Sequence, residues 1–441
     1  MAKAKAKSDL AIDGGKPVTK EPFPMWPQFQ KSTIKKAMRP LETGKVNYWT
    51  GTDGKIKGGR TASMGMEFEE KFAKYIGTKY AVSTANGTAA LHVALAGLNV
   101  GPGDEVICPS YSFIASSFCI CQAGAIPVFA DVQTDKFAHT IDPADIERKI
   151  SKKTRAIIPV HLYGQVCDMD KIMRIARKHK LFVVEDCAQA PGAKYKGRKV
   201  GTIGDVNAFS FCQSKTFTTA GEGGAVTTNN EDVLWQCRSF RDHGYDVKER
   251  LRLLELEAKL PYIHNMIGFN FRMTEMQAIV GICELARMES FHLKNRRRNA
   301  MFLIKQLKGV GGILTLPQND KDVKNGFWLF PIVIDIDSFK CDITKFWHAV
   351  AAEGVPAGPV LWPQMYKEKA FRNHNAFGRL NYPFGDPNAR KAALNYKKCN
   401  CKKAAWLEDR TFFVACHPVY SLKHMGHIAK AIKKVVAAYK K

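Results

Sequence analysis

The sequence has none of the long apolar runs that would place it in a membrane. No stretch of its 441 residues approaches the ~20 consecutive apolar residues that a membrane-spanning helix requires. The N-terminal segment Met1-Ala-Lys-Ala-Lys-Ala-Lys7 is positively charged, but Ser8 and Asp9 follow it in place of the apolar core of a signal peptide. These absences predict a cytoplasmic protein.

Patterns typical of metal sites and disulfide scaffolds are missing as well. Twelve cysteines are too few to staple a chain of this length, and many lie in apolar runs, where reduced and buried thiols are the rule. The close pairs Cys119/Cys121 and Cys399/Cys401 lack both the two-residue gap and the second half of a zinc site. The sequence therefore predicts no bound metal.

Acidic residues are outnumbered in this chain. It has 67 Lys and Arg against 41 Asp and Glu, which gives a formal net charge of +26. Such an excess is typical of proteins that bind nucleic acid, anionic membranes or phosphorylated substrates. The basic residues are scattered at helix-surface spacing, however, and no helix-turn-helix or zinc module accompanies them. We therefore expect a generally cationic surface, with no nucleic acid and no membrane among the partners, and leave anionic substrates open.

The length and composition indicate two folded lobes. Hydrophobic residues make up 45% of the chain and charged residues 24%, as in ordinary soluble proteins, and a chain this long can bury two cores. Residues 1–55 show no clear periodicity and are interpreted as an N-terminal arm. Residues 56–290 are predicted to form a large α/β domain, and residues 291–441 a smaller C-terminal α+β domain.

Short β-rich runs alternate with helical ones in the first half of the chain. The strands are predicted near residues 80–84, 105–108, 126–130, 155–160 and 181–185, with helices over 88–98 and 168–180. Parallel strands need helix-length crossovers, so this alternation predicts a mostly parallel central sheet flanked by helices. Ligands bind beyond the carboxyl ends of such strands, where Asp131, His161 and Asp186 lie. Side chains at these positions are also typical helix caps.

Three features would suit a single ligand. Lys215 lies between a strand-like apolar run and the glycine turn Gly221-Glu-Gly-Gly224, where a Schiff-base lysine could be held beside a flat ring. Asn86-Gly-Thr-Ala-Ala90 precedes a helix, whose free N–H groups favour phosphate. Asp186 ends an apolar strand, where a carboxylate requires a cation such as a protonated pyridine nitrogen. Singly, Lys215 is more typical of a solvated loop lysine, and the segment 86–90 is more typical of a helix cap. Together they indicate a phosphorylated pyridine cofactor.

Eight short motifs follow one another along nearly the whole chain. They are Leu10-Ala-Ile-Asp-Gly-Gly-Lys-Pro17, Asn86-Gly-Thr-Ala-Ala-Leu91, Gly101-Pro-Gly-Asp-Glu-Val106, Gly124-Ala-Ile-Pro-Val128, Glu185-Asp-Cys-Ala-Gln-Ala190, Gly221-Glu-Gly-Gly224, Arg241-Asp-His-Gly244 and Gly268-Phe-Asn-Phe-Arg-Met-Thr274. Their joint order resembles the DegT family, the sugar and cyclitol aminotransferases of pyridoxal-phosphate fold type I. The resemblance implies that α/β fold, a smaller C-terminal domain, and the cofactor pyridoxal 5'-phosphate.

The resemblance also implies roles for residues around the cofactor ring. Lys215 would carry the Schiff base and Asp186 would keep the pyridine nitrogen protonated, which makes these two the catalytic residues. Gln189 would contact the ring hydroxyl. Phe113 would stack on the ring face; its spacing alone is more typical of a core residue, so this role depends on the resemblance. His161 would either line the pocket or be a satisfied strand-end histidine.

Further residues would bind the cofactor phosphate. Gly87, Thr88, Ala89 and Ser210 match the family's phosphate-binding positions, although Ser210 is also typical of a buried hydroxyl bonded to the backbone. Asn270 would reach the phosphate of the neighbouring subunit. The resemblance therefore implies a homodimer with shared active sites.

The implied activity is transamination, with Lys215 as proton shuttle. The amino group of glutamine or glutamate would pass to a ketone on a cyclitol or on a sugar, nucleotide-linked or not. Gln189 replaces the histidine of many nucleotide-sugar members, which favours the branch of scyllo-inosose aminotransferases and aminohydroxybenzoate synthases. Asn325-Gly-Phe-Trp328 lacks the usual histidine and tyrosine, which leaves the acceptor open. The alternatives are an aminohydroxybenzoate-synthase-like dehydratase and a non-catalytic regulatory protein; Lys215 with Asp186 argues against the second.

Overall fold

The large sheet is built almost entirely from parallel strands. The computed structural model describes residues 9–48, 56–57, 60–61, 63–249, 264–360 and 362–441. The sheet has the spatial order β1-β7-β6-β5-β4-β2-β3, and β7 alone runs antiparallel to its two neighbours. The strands are β1 (Tyr80–Thr84), β2 (Glu105–Pro109), β3 (Ile126–Ala130), β4 (Thr154–Ile157), β5 (Phe182–Asp186), β6 (Val206–Ser210) and β7 (Gly224–Thr228). The predicted α/β fold with a mostly parallel sheet is confirmed.

Helices connect the parallel strands and pack on the sheet through an apolar face. The helix Met169–His179 buries Met169, Ile172, Ile175 and Ala176 on one side, which confirms the helix predicted over 168–180. The helices up to residue 285 are α1 (Lys31–Thr43), α2 (Met64–Ile76), α3 (Gly87–Gly97), α4 (Ala115–Gln122), α5 (Pro143–Lys149), α6 (Met169–His179), α7 (Glu231–Arg241) and α8 (Glu275–Leu285). Every residue of β2, β3, β6 and β7 is buried, as expected for strands covered on both faces.

The register of the sheet brings strand ends together at one edge. β5 and β6 are parallel, and Asp186 pairs with Ala208. Ser210 therefore lies just beyond Asp186 at the carboxyl edge, and α3 begins nearby, because Gly87 packs directly against Ser210. This is the edge at which ligands of parallel sheets bind.

A second, antiparallel sheet lies in the C-terminal part of the chain. Its order is β8-β9-β11-β10, with β8 (Ile313–Thr315), β9 (Phe330–Ile334), β10 (Ala357–Pro359) and β11 (Thr411–Val414). The helices of this part are α9 (Lys294–Leu307), α10 (Ile343–Ala352), α11 (Lys369–Arg372), α12 (Lys402–Glu408) and α13 (Leu422–Tyr439). Leu303, Phe346 and Ile432 belong to a core of its own around this sheet.

Residues 362–408 leave the small sheet and pack on the large one. The rings of Phe371 and Tyr396 lie 5.1 and 5.6 Å from that of Phe129 on β3. Arg390 pairs with Glu105 at the start of β2, at 2.7 Å. The two cores thus share segments of the C-terminal part, and the domain boundaries at residues 55 and 290 stay predictions.

The N-terminal arm lies on the small lobe. Leu10 is buried in the core of that lobe, and the Glu353 carboxylate accepts hydrogen bonds from the backbone N–H groups of Ala11 and Val18, both at 3.0 Å. Farther along the arm, α1 packs on α8. Among the helices in the described ranges, none combines the length and apolar character needed to cross a membrane.

Candidate active site

Lys215 lies in a loop that folds back on a glycine turn. Its backbone N–H donates to the carbonyl of Cys212 at 2.9 Å, and the N–H of Gln213 donates to the carbonyl of Gly221 at 2.8 Å. Gly223 has a φ of +157°, and a Cβ there would lie 2.0 Å from Thr219 Oγ1. The turn therefore requires glycine, as the sequence predicted.

The amine of Lys215 is half-buried against an aromatic ring. Its Nζ lies 4.3 Å from the ring centroid of Trp328. Burial lowers the pKa of Lys215, while the charge of Asp186 acts in the opposite direction. A lysine with a lowered pKa has more of the neutral amine that nucleophilic attack needs.

Asp186 is a buried carboxylate at the end of β5. Only 4% of it is exposed. Its Oδ2 accepts a hydrogen bond from Ser116 Oγ at 2.8 Å, and its Oδ1 accepts one from the Ala188 N–H at 3.1 Å. Burial raises the pKa of Asp186, and it forms no ion pair with any residue in the described ranges. A cationic group in the adjacent cavity would stabilise its ionised form.

The first turn of α3 forms a cradle for an anion. Asn86 caps the helix, and its Oδ1 accepts the N–H of Ala89 at 2.8 Å, so the N–H groups of Gly87 and Thr88 remain without an intrahelical partner. A Cβ at Gly87 would lie 2.5 Å from the Cβ of Ser210. Glycine thus lets the helix end approach the Ser210 side chain, and both the helix dipole and the hydroxyl favour phosphate.

An aromatic wall faces these polar groups. Phe113 is 45% exposed, and its ring lies 5.7 Å from that of Trp362. Trp362 is nearly parallel to Trp328, at 8° and 6.2 Å. One end of the Gln189 amide already has a partner, because its Oε1 accepts a hydrogen bond from the Tyr163 N–H at 2.6 Å. The amide nitrogen is left to donate to a ligand.

All these groups line one cavity of about 550 Å³. The lining residues predicted from the sequence are Gly87, Thr88, Ala89, Phe113, Asp186, Gln189, Ser210 and Lys215. The structure brings these eight together, and their individual roles stay predictions. Asn270 does not line this cavity and is exposed.

Several lining residues were not assigned to the site from the sequence, among them Ser116, Trp328 and Trp362. Ser116 lies three residues after Phe113, and a serine within the mostly apolar run 114–121 is a signal for a buried hydrogen-bond partner. Trp328 was noted only as a departure from the family pattern. Trp362 lies in a segment of no recognised motif, and no local signal would have found it.

Two strand-end residues have structural roles. His161 is fully buried; its Nε2 lies 3.0 Å from Glu185 Oε2 and its Nδ1 accepts the N–H of Cys167 at 3.1 Å. This is the satisfied histidine, one of the two alternatives. Asp131 accepts the N–H groups of Lys403 and Ala404 in the first turn of α12, at 3.0 and 2.9 Å. It caps a helix, although not the next one in the chain.

One group of possible metal ligands occurs in the described part of the chain. The side chains of His161, Glu185 and Cys187 lie within 4.8 Å of one another. Both ring nitrogens of His161 already have partners, so the ring has no free lone pair for a metal. The prediction that no metal is bound stays a prediction.

The residues of the cavity fit pyridoxal 5'-phosphate. The anion cradle of Gly87, Thr88 and Ser210 suits the phosphate, Asp186 lacks the cation that a protonated pyridine nitrogen would provide, and Lys215 supplies an amine of lowered pKa. The fit depends on two complementary charges. The protonated ring nitrogen of the cofactor is a cation for Asp186, and its phosphate is an anion for the cradle.

Comparisons with known proteins agree with this geometry. The profile of the DegT/DnrJ/EryC1/StrS aminotransferase family matches residues 53–391. The chain is 42% identical over 300 residues to the GDP-perosamine synthase of Caulobacter vibrioides. The matched region covers 68% of this chain and 76% of that protein. It is 34% identical over 362 residues to the L-glutamine:2-deoxy-scyllo-inosose aminotransferase of Streptoalloteichus tenebrarius, covering 80% of this chain and 81% of the other.

Solved structures extend the likeness to the whole architecture. The X-ray structure of the aminotransferase from Psychrobacter cryohalolentis superposes with a TM-score of 0.80 at 34% identity, over 94% of this chain and 99% of that one. The family includes sugar and cyclitol aminotransferases. This chain belongs to the DegT/DnrJ/EryC1/StrS aminotransferase family and is a pyridoxal-phosphate-dependent aminotransferase.

Proposed function

We propose that this enzyme moves the amino group of glutamine or glutamate to a ketone on a cyclitol or a nucleotide-linked sugar. The observation that carries the proposal is that Lys215 and Asp186 line one cavity together with the aromatic side chains of Phe113, Trp328 and Trp362. The flat faces of Phe113, Trp328 and Trp362 suit the C–H face of a saturated ring. The names of the perosamine and inosose relatives support an acceptor of this class.

The residues of the site would divide the work as follows. Pyridoxal phosphate, when bound, supplies a carbonyl that condenses with amines and a ring that withdraws electrons from the reacting carbon. Lys215, as a neutral amine, accepts the proton from the donor's α-carbon and returns it in the second half-reaction. Asp186 remains ionised against the ring nitrogen, held by Ser116 and the Ala188 N–H. Gly87, Thr88 and Ser210 anchor the phosphate.

The central claim is tested by colour and chemical trapping. The purified holoenzyme should absorb visible light because its cofactor is joined to Lys215. Borohydride should bleach this absorbance and leave the cofactor's mass on the Lys215 peptide, and Lys215→Ala should lack the band and the activity. A protein that binds no pyridoxal phosphate, or that is labelled at another lysine, contradicts the assignment.

The amino donor and the keto acceptor can each be identified in a separate half-reaction. Glutamine and glutamate are each added to the holoenzyme, and the loss of the visible band is followed. The aminated enzyme is then offered scyllo-inosose or a GDP- or UDP-linked keto-sugar. We place the cyclitol first because of Gln189. Faster recovery of the band with a nucleotide-linked sugar would instead favour the alternative, which the perosamine relative and the net charge of +26 support. Water loss from the acceptor without amination would indicate a dehydratase.

We further propose a cytoplasmic homodimer with shared sites. Asn270 is exposed and outside its own chain's cavity, as expected of a residue that serves a neighbour. Ile34, Met38 and Leu41 form an exposed apolar stripe on α1, at 53%, 47% and 54% exposure, which a second subunit would cover. The described cysteines are free, in keeping with a reducing compartment.

A mixing experiment tests the shared site. Co-expressed Lys215→Ala and Asn270→Ala subunits would form mixed dimers with one intact site and one doubly altered site. Their activity should exceed the mean of the two parent variants. Strictly additive activity, or a monomeric wild-type enzyme with full turnover, would count against the shared site.

A further inference from the structure

Tyr163 has a backbone conformation that a bulky residue rarely adopts. Its φ is +60° and its ψ is 6°, which lies in the left-handed region, where any residue with a Cβ is sterically disfavoured. The next residue, Gly164, also has a positive φ, of +89°. Such conformations persist only where the surrounding structure holds them, and they are concentrated at functional sites.

The left-handed turn directs the Tyr163 N–H at the side chain of Gln189. The Gln189 Oε1 accepts this hydrogen bond at 2.6 Å. Because a backbone N–H can only donate, the oxygen of the amide must face Tyr163 and the nitrogen must face away from it. Gln189 is 3% exposed and lines the large cavity, and within the described part of the chain its Nε2 has no hydrogen-bond partner. Gln189 is therefore held in the orientation that presents a donor to the cavity.

The side chain and the carbonyl of Tyr163 hold the turn in place. Tyr163 is 1% exposed, and its hydroxyl forms a hydrogen bond with the hydroxyl of Tyr111. Its ring packs edge-on against that of His139, with 5.4 Å between the centroids, and its carbonyl accepts the N–H of Leu329 at 3.3 Å. These contacts on three sides oppose the relaxation of the backbone to a negative φ.

Gly164 brings the same turn against the segment that carries Trp328. Its carbonyl accepts the N–H of Gly326 at 2.9 Å, and a Cβ on Gly164 would lie 2.8 Å from the backbone nitrogen of Trp328. The Trp328 ring in turn lies 4.3 Å from the Lys215 amine. The turn at residues 163–164 therefore lies between Gln189 and the tryptophan that contacts Lys215.

We infer that Tyr163 is a positioning residue, whose left-handed backbone fixes Gln189 as a hydrogen-bond donor to the ring oxygen of the cofactor. The inference rests on the proposed function and on the role predicted for Gln189, contact with the ring hydroxyl of pyridoxal phosphate. Tyr163 does not line the cavity, so it acts through Gln189. A residue that cannot keep a positive φ at position 163 would turn the N–H away and leave the Gln189 amide free to rotate.

Two substitutions separate the backbone of Tyr163 from its side chain. Tyr163→Gly and Tyr163→Val both remove the ring and the hydroxyl, but glycine adopts a positive φ freely and β-branched valine does not. The Kd of each apoenzyme is measured for pyridoxal phosphate and for 3-deoxypyridoxal phosphate, which lacks the ring hydroxyl. The preference for the hydroxylated ligand, given by the ratio of the two Kd values, should fall about fivefold in Tyr163→Val, as for one lost hydrogen bond. In Tyr163→Gly it should stay within about twofold of wild type.

Gln189→Leu is the reference, because it removes the donor itself. Its preference for the hydroxylated ligand should fall as in Tyr163→Val, and the double variant should show no further fall. Tyr163→Ala, in which a positive φ is less disfavoured, replaces Tyr163→Val if the valine variant does not fold, and its preference should lie between those of wild type and Gln189→Leu.

Two results would overturn the inference and leave the role of Gln189 intact. They are a wild-type preference in the folded valine or alanine variant, and an equal fall in the glycine variant, each with the preference lost in Gln189→Leu. An unchanged preference in Gln189→Leu would overturn the role of Gln189 together with the inference.

Discussion

The indole N–H of Trp26 donates a hydrogen bond of 3.2 Å to the backbone carbonyl of Lys215. Trp26 belongs to the N-terminal arm, and its ring stacks on His417 at 5.9 Å and lies 5.3 Å from the guanidinium of Arg296. On the other side, the indole of Trp328 donates to the carbonyl of Ser214. The backbone at Ser214 and Lys215 is thus fixed by two side chains distant in sequence.

Trp26→Phe should lower kcat without unfolding the enzyme. The ring and its stacking remain, but one hydrogen bond of ~1 kcal/mol to the Lys215 loop is lost, and kcat should fall about fivefold if that energy positions the amine. The visible band of the holoenzyme should shift with it. Steady-state kinetics and an absorbance spectrum provide the measurement. Unchanged kcat with a lowered melting temperature would make Trp26 only a structural residue.

Asp186→Asn should cost far more activity than Ser116→Ala. The asparagine keeps the shape but removes the charge that we propose faces the ring nitrogen, so kcat should fall by about 10²–10³-fold. Ser116→Ala retains the charge and removes one hydrogen bond, for a loss of about tenfold or less. Half-reaction rates with a saturating donor distinguish the two. Similar losses in both variants would mean that the Ser116 contact, not the charge, matters.

The pH dependence of cofactor capture should reveal the coupling of Asp186 and Lys215. Burial lowers the pKa of Lys215 below its ordinary value of 10.5, so the rate at which apoenzyme captures pyridoxal phosphate should rise with pH and level off below that value. The Asp186 charge holds the pKa of Lys215 up, so in Asp186→Asn the rise should move to lower pH. A shift to higher pH would contradict this assignment of charges.

Gly87→Ala should weaken cofactor binding through contact with Ser210. The new Cβ would lie 2.5 Å from the Cβ of Ser210, and overpacking of ~1–3 kcal/mol corresponds to an increase of about 5- to 150-fold in Kd. The Kd is measured by titrating the apoenzyme with pyridoxal phosphate and following the tryptophan fluorescence. The double variant Gly87→Ala/Ser210→Gly should bind no more weakly than Ser210→Gly alone, because the clash is gone. If the losses of affinity in the two single variants instead add up in the double variant, the contact with Ser210 is not the cause of the weaker binding.

Glu185 should be a major contributor to stability above acidic pH. It is fully buried and accepts hydrogen bonds from His161 and from the N–H groups of Gly201, Ile203 and Gly204. Burial alone would raise the pKa of Glu185, but these bonds lower it overall. A folded-state pKa below the unfolded value of about 4.3 stabilises the fold above that pH, and the contribution is lost as pH falls through the folded-state pKa.

Urea unfolding measures this contribution. Glu185→Leu should lose ~3–5 kcal/mol, because four donors are left without an acceptor. Glu147→Gln is the control, since Glu147 pairs with Lys178 on the surface and its removal should leave the unfolding midpoint unchanged. A stable Glu185→Leu, or an equal effect in both variants, would be contrary to the role assigned to Glu185.

Local patterns made the centre of the site predictable, whereas its walls depend on distant contacts. Asp186 ends a strand, Gly87 begins a helix and Lys215 follows a strand, and the neighbouring residues determine the type of each of these elements. Trp26 and Trp328 contact the Lys215 loop across 189 and 114 residues of sequence. The residues next to either tryptophan do not indicate these contacts. His161 shows a further case, because its position in the sequence was compatible with pocket lining or with a satisfied histidine, and only the buried partners decide for the second.

Residues 362–408 limit how the two sheets can move. They depart after β10 and return at β11, which are neighbours in the small sheet. In between, Phe371 and Tyr396 are packed on β3 and Asp131 holds the start of α12. A hinge rotation of the small sheet would have to pull these aromatic rings and that cap away from the large sheet. The enzyme should therefore admit and release substrates with the two lobes clamped together, without a hinge rotation of the small sheet.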